Sequence, residues 1–147
     1  MTYLTEFIVQ LTFSYLSTVA FAICINVPHK ALILAGWAGA FGWMVYWLLE
    51  TAGSGRMLAN LLGAVAIGVC GIVFARIKKM PVIIFNIPGL VPLVPGATAY
   101  QAVRAMVLGN MDLAIQLGVR VTMVAGAIAV GFMIAQLISE LSYRIRW

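Results

Sequence analysis

The chain has 147 residues, of which 64% are hydrophobic and only 9% charged, against about 25% charged residues in a soluble domain. Mean hydropathy is +1.08 and the net charge is +5. Nine basic and four acidic residues cannot cover a water-facing surface without large exposed apolar patches, which soluble monomers rarely carry. A soluble enzyme, a disordered chain, a nucleic-acid-binding module and a disulfide-stapled secreted domain are excluded. An all-α, polytopic membrane protein is expected, with basic residues serving as topology anchors and the lipid bilayer as its solvent.

A bilayer core about 30 Å thick needs about 20 helical residues, and the sequence offers five apolar runs, at 5–26, 31–49, 58–75, 81–108 and 113–139. Together they leave room for a single transmembrane domain over residues 1–147. The first run ends at Asn26-Val27-Pro28. Ala20-Phe21-Ala22 resembles a signal-peptide cleavage site, but no positive charge precedes the run, so it is expected to stay and span. Glu6, Gln10, Ser14 and Ser17/Thr18 fall on one face of it, which should look toward protein or a wet space. Cys24 and Cys70 lie in separate apolar runs, with no metal-ligand spacing, and read as inert thiols. His29-Lys30 reads as a tight turn. The second run is short and carries a Gly36, Gly39, Gly42 strip, so four spans is the alternative count.

The segment Thr51–Arg56 is rich in turn residues and leads to the third run, closed by Arg76, Lys78 and Lys79. Ala64 and Gly68 on that run, and Ala127, Gly131 and Ala135 on the fifth, repeat at four-residue spacing. Lipid removes the hydrophobic drive for helix association, so small residues that allow close approach are expected at helix seams.

The fourth run holds the most informative stretch, Asn86-Ile87-Pro88-Gly89-Leu90-Val91-Pro92-Leu93-Val94-Pro95-Gly96-Ala97-Thr98-Ala99-Tyr100. Each proline lacks an N–H and clashes with the carbonyl four residues earlier, a cost of about 3 kcal/mol in a helix interior. The residues before them are pushed from the helical region, and the glycines of the two Pro-Gly pairs permit turns. The span is therefore expected to break near mid-membrane, where irregular backbone is tolerated only if buried in protein or lining a cavity. Discontinuous helices at that depth are where many transporters bind substrate. A new helix starting at Pro95 would leave the amides of Gly96, Ala97 and Thr98 stranded at a positive helix end, a site for a carboxylate. Carbonyls freed before Pro92 and Pro95 would accept from an ammonium group or a cation.

Arg104 and Arg120 are expected in the outer half of their spans, where a central arginine costs about 2.5–3.5 kcal/mol. They either snorkel or pair, as Arg104 with Asp112, or draw anions toward the break. The other polar outliers do not assemble into paired carboxylates, a nucleophile–histidine arrangement or a metal cluster, so no enzyme, cofactor or metal is expected. With five spans, Lys30, Arg76, Lys78, Lys79, Arg144 and Arg146 fall on one side against Arg56 and Arg104 on the other. This predicts the amino terminus outside and the carboxy terminus in the cytoplasm. Tyr143 and Trp147 fit an interfacial belt at that end.

The run Pro92-Leu-Val-Pro95-Gly96-Ala-Thr-Ala-Tyr100 resembles the Pro-x-x-Pro-Gly…Tyr signature of the ThrE-type threonine/serine exporter family. Asn26-Val27-Pro28 with Lys30-Ala31-Leu32 resembles the end of the first helix in that family's carboxy-terminal half. The resemblance covers nearly the whole chain and is closest to the stand-alone small subunit of the split two-gene form. It implies a secondary exporter of the bacterial cytoplasmic membrane, for threonine and serine or for dicarboxylates such as succinate. It also implies a larger YjjP-like membrane subunit as partner, supplying the amino-terminal half that this sequence lacks, and so small a chain is expected to oligomerise. Residues Asn86, Pro88, Gly89, Pro92, Pro95, Gly96, Ala97, Thr98, Tyr100, Arg104 and Arg120 are the candidate substrate-binding residues. The alternative is an accessory subunit that scaffolds a partner's pathway without lining it.

Overall fold

The computed structural model describes residues 3–144, with side chains described to residue 141. The interfacial aromatics Tyr143 and Trp147, and the basic side chains of Arg144 and Arg146, lie outside the described residues. The described chain is all-α: α1 (Tyr3–Cys24), α2 (His29–Thr51), α3 (Arg56–Lys78), α4 (Ile83–Gly89), α5 (Gly96–Val107) and α6 (Met111–Arg144). Four of these, α1, α2, α3 and α6, are long and apolar enough to cross a membrane. The fourth apolar run of the sequence is divided between α4 and α5.

The second run is a full helix of 23 residues, not a doubtful span. His29 and Lys30 belong to its first turn rather than to a tight loop. The turn lies one step earlier, where Asn26 takes φ 60° and the Ala31 amide donates to the Pro28 carbonyl at 2.8 Å. Pro28 sets its own φ and asks for no N–H partner, which suits the position before a helix. At the other end of α3, Lys79 takes the left-handed conformation and the Met80 amide reaches back to the Ala75 carbonyl at 3.0 Å.

The packing order is α1 on α2, α2 on α3, and α3 on α6; α4 packs against α2 and α3 and touches α1, and α5 packs on α6 alone. The small residues make these seams. Gly36 and Gly39 lie against Tyr15, Val19 and Thr18 of α1, and Gly42 against Ile67 of α3. Gly131 faces the Leu61 carbonyl and Ala64, and Gly68 faces Ala135. On the polar face of α1, Ser14 and Thr18 are buried, while their hydroxyls are satisfied by backbone carbonyls three and four residues back. Glu6 is exposed.

Two registers locate the divided run. Gly89 meets Gly39 and Ile67, the eleventh and twelfth residues of two 23-residue helices, so α4 ends at the mid-height of the bundle. From there the chain rises past Leu93, which meets Gly63, toward the start of α3. Along the parallel helices α3 and α6, Ala64 sits beside Gly131 and Gly68 beside Ala135, which puts Arg56 level with residue 123. Met111, where α6 begins, then lies about 18 Å beyond the start of α3 at 1.5 Å per residue. The α5–α6 hairpin is thus an arm extending past the α2–α3 turn.

Candidate functional site

Pro88 sits inside α4, so Ile87 stays helical instead of being driven out of that region. The helix tolerates this because it ends one residue later, at Gly89. The following turn satisfies much of its own backbone. Amides of Val91, Leu93 and Val94 donate to the carbonyls of Pro88 (3.2 Å), Leu90 (2.9 Å) and Leu90 (3.1 Å). The Gly96 amide, expected to be stranded, donates to the Val94 carbonyl at 2.8 Å. Pro95 is the cap of α5, with φ −77° and ψ 49°, not its first helical residue. Neither Gly89 nor Gly96 takes a positive φ, so the two Pro-Gly pairs do not make left-handed turns. Without a backbone partner among the described residues are the amides of Ala97 and Thr98 and the carbonyls of Ile87, Gly89, Val91, Pro92 and Leu93.

Beside this turn lies a cavity of about 160 Å³. Trp43 and Tyr46 of α2, Arg56 and Asn60 of α3, Pro92 through Pro95, Thr98 of α5, and Arg120 and Val124 of α6 line it. It adjoins a wider cleft of about 440 Å³ that shares Arg56, Arg120 and Val124 and adds Gln116. Several polar groups are already engaged, which fixes their positions. Trp43 Nε1 donates to Gln10 Oε1 at 2.8 Å, tying α1 to α2. Asn60, 3% exposed, donates through Nδ2 to the Arg56 carbonyl at 2.8 Å. Arg56 Nε pairs with Glu50 Oε1 at 3.3 Å, and the Tyr46 phenol lies close to both.

The structure therefore gathers Pro92, Pro95, Thr98 and Arg120 at one cavity, while Gly96 and Ala97, between Pro95 and Thr98 in the chain, are exposed and do not line it. It does not bring the remaining candidates there. Asn86 faces Gly71 on the other side of the bundle, and Pro88 and Gly89 are buried in the α2–α3 packing. Tyr100 and Arg104 are exposed on α5, and Arg104 makes no ion pair with Asp112 among the described residues. Arg120 is exposed, about two turns into α6, level with the start of α3 and at the mouth of the cavity. Sequence reasoning missed Trp43, Tyr46, Arg56 and Asn60. A buried amide one turn after an arginine, inside an apolar run, was the available signal for Asn60.

The arrangement suits a small solute with an anionic group. Arg56 shares its charge with Glu50, whereas Arg120 has no ion pair among the described residues, so the mouth is positive. Its volume is below the range of about 300–1,000 Å³ typical of drug-sized sites. Among the described residues no three His, Cys, Asp or Glu side chains gather as a metal site. A family model described as "Threonine/Serine exporter, ThrE" matches residues 10–138, most of the chain. No solved structure matches it.

Proposed function

Because the chain belongs to the threonine/serine exporter family, ThrE, a family of membrane exporters, we propose that it is one subunit of a secondary exporter and lines the solute path. The solute is a small carboxylate-bearing metabolite, threonine or serine or a dicarboxylate such as succinate. The observation that carries this reading is the cavity beside Pro92–Pro95. Backbone groups without partners, the Thr98 hydroxyl and two guanidinium groups meet there, next to a turn that starts at the mid-height of the bundle. Irregular backbone at such depth calls for a wet or protein-lined surface, and a cavity supplies one. The carboxylate would sit near Arg120 and the open amides of α5.

A second, larger YjjP-like membrane subunit completes the path. In support, α5 packs on α6 alone, leaving Tyr100, Val103, Met106 and Val107 exposed and the cavity open. The chain acts in a bacterial cytoplasmic membrane with its amino terminus outside. Lys30, Arg76, Lys78 and Lys79 lie at the end expected to face the cytoplasm, as the positive-inside rule asks. Thiol labelling of Ser54→Cys only from outside and of Lys79→Cys only from inside is the expected result; the reverse overturns the orientation.

The function is tested in proteoliposomes holding the chain with and without its partner. Efflux of threonine, serine or succinate by the pair, lowered by Arg120→Gln with protein level unchanged, is expected. A pair that moves none of these solutes overturns the reading. The α5 arm favours one alternative, an accessory subunit whose exposed helix holds the partner. In that case Arg120→Gln is silent while Met106→Lys lowers recovery of the complex.

A further inference from the structure

A second polar recess lies where the exporter reading places nothing. We propose that the cleft between α3, α4 and α6 at Asn86 and Gln136 is a second solute station, separated from the Pro92–Pro95 cavity by an apolar plug, and that it holds its solute through an ammonium or hydroxyl donor.

Asn86 carries the assignment. Its Oδ1 is buried with no hydrogen-bond partner, and buried polar atoms in folded chains almost always have one. The oxygen lies flush against Gly71, where any side chain would displace it. Gly71 thus admits the amide but offers it no donor. The oxygen is closed off by Gly71, so the amide has to rotate toward the adjoining cavity, where a solute N–H or O–H would match it. Asn86 also lines a cavity of about 300 Å³ with Gly68, Phe132 and Gln136. That cavity shares Ile72 and Gln136 with a neighbouring one of about 440 Å³, lined by Arg76, Lys79 and Ser139. The two together lead from Asn86 to the basic end of the bundle, where a carboxylate would be drawn.

The plug separates this recess from the first cavity. Ala64, Ile67, Leu93, Val124 and Ile128 form one buried cluster, with Leu90 and Phe132 packed on it. Leu93 belongs to the turn, so a movement of the turn moves the plug. Two polar recesses opening toward opposite ends, with a dry constriction between them, match the occluded geometry alternating access requires.

This inference rests on the exporter reading, and its test separates the two. The complex is prepared with Cys24→Ala and Cys70→Ala, then with Gln136→Cys or Thr98→Cys, and treated with a membrane-impermeant thiol reagent on each side of sealed vesicles. Gln136→Cys is expected to react from the side bearing Lys79 and Thr98→Cys from the side bearing Ser54. Threonine or serine, at twice its Kd, should slow labelling of Gln136→Cys about threefold, whereas succinate, which carries neither donor, should not. Adding Asn86→Leu should abolish that protection and leave the labelling of Thr98→Cys from the side bearing Ser54 unchanged. No reaction of Gln136→Cys from either side, reaction that neither threonine nor serine slows, or protection that survives Asn86→Leu overturns the station. Protection is first measured with Asn86 intact, so poor folding of Asn86→Leu leaves the decision with that measurement. A complex that exports nothing refutes the exporter reading; export with unprotected Gln136→Cys refutes only the second station.

Discussion

Gly89 and Gly96 each follow a proline, yet they stand in different surroundings. A methyl group at Gly89 would sit 2.8 Å from Ile67 Cγ2, whereas one at Gly96 would meet nothing within 4 Å. Gly89→Ala is therefore expected to lower stability in detergent by about 1–3 kcal/mol, as overpacking does. Gly96→Ala should stay within about 0.5 kcal/mol of the parent, as surface changes do. Thermal unfolding of the two variants checks the ranking, and an equal loss would mean that the α2–α3–α4 crossing is looser than described. Trp43 offers a milder case. Replacing it by phenylalanine removes the bond to Gln10, and membrane hydrogen bonds average about 0.6 kcal/mol, so Trp43→Phe should shift the melting temperature only slightly. The sequence identified the two Pro-Gly pairs but could not rank them. The difference is made by Ile67, twenty-two residues away from Gly89 along the chain.

At the scale of the element, proline chemistry made the division between α4 and α5 legible, because a missing N–H is a local fact. The path of the turn was not legible, since it depends on bonds the segment makes to itself, such as Gly96 to Val94. Pro88 shows the same limit: near a helix end it needs no break at all. Pro92 and Pro95 differ, because they fall within the six residues that join α4 to α5. Pro92→Ala with Pro95→Ala restores two N–H donors within reach of the carbonyls of Pro88 and Val91. The segment can then extend as a helix and carry Thr98 away from Arg120. Export by the complex is expected to fall about tenfold, equivalent to about 1.4 kcal/mol, with the amount of complex in the membrane unchanged. Full export by the double variant would show that the turn does not shape the path.

For the whole molecule, hydropathy counts length along a chain but not height in a bundle. It placed the apolar runs well, and the small-residue stripes marked the seams. It put Arg120 two turns into a span, as α6 does, but could not show that this point is level with the start of α3, because that depends on where the two helices meet. At 34 residues and 1.5 Å per residue, α6 is about 51 Å long, against a hydrocarbon core of about 30 Å. If α1, α2 and α3 fill that core, the α5–α6 arm stands outside it. Val107 is 80% exposed and Leu108 70%, which is untenable in water for a face that also includes Val103 and Met106. A partner subunit covering the arm resolves the conflict, and so does lipid, but the two differ in one measurement. A lysine deep in lipid costs about 2.5–3.5 kcal/mol on insertion, so Val107→Lys would lower the amount of the chain itself in the membrane. Under a protein partner, Val107→Lys should leave that amount unchanged and reduce the partner recovered with the chain in a detergent pull-down. The second outcome is expected, because α1, α2 and α3, at 22 to 23 residues each, already match the bilayer without the arm.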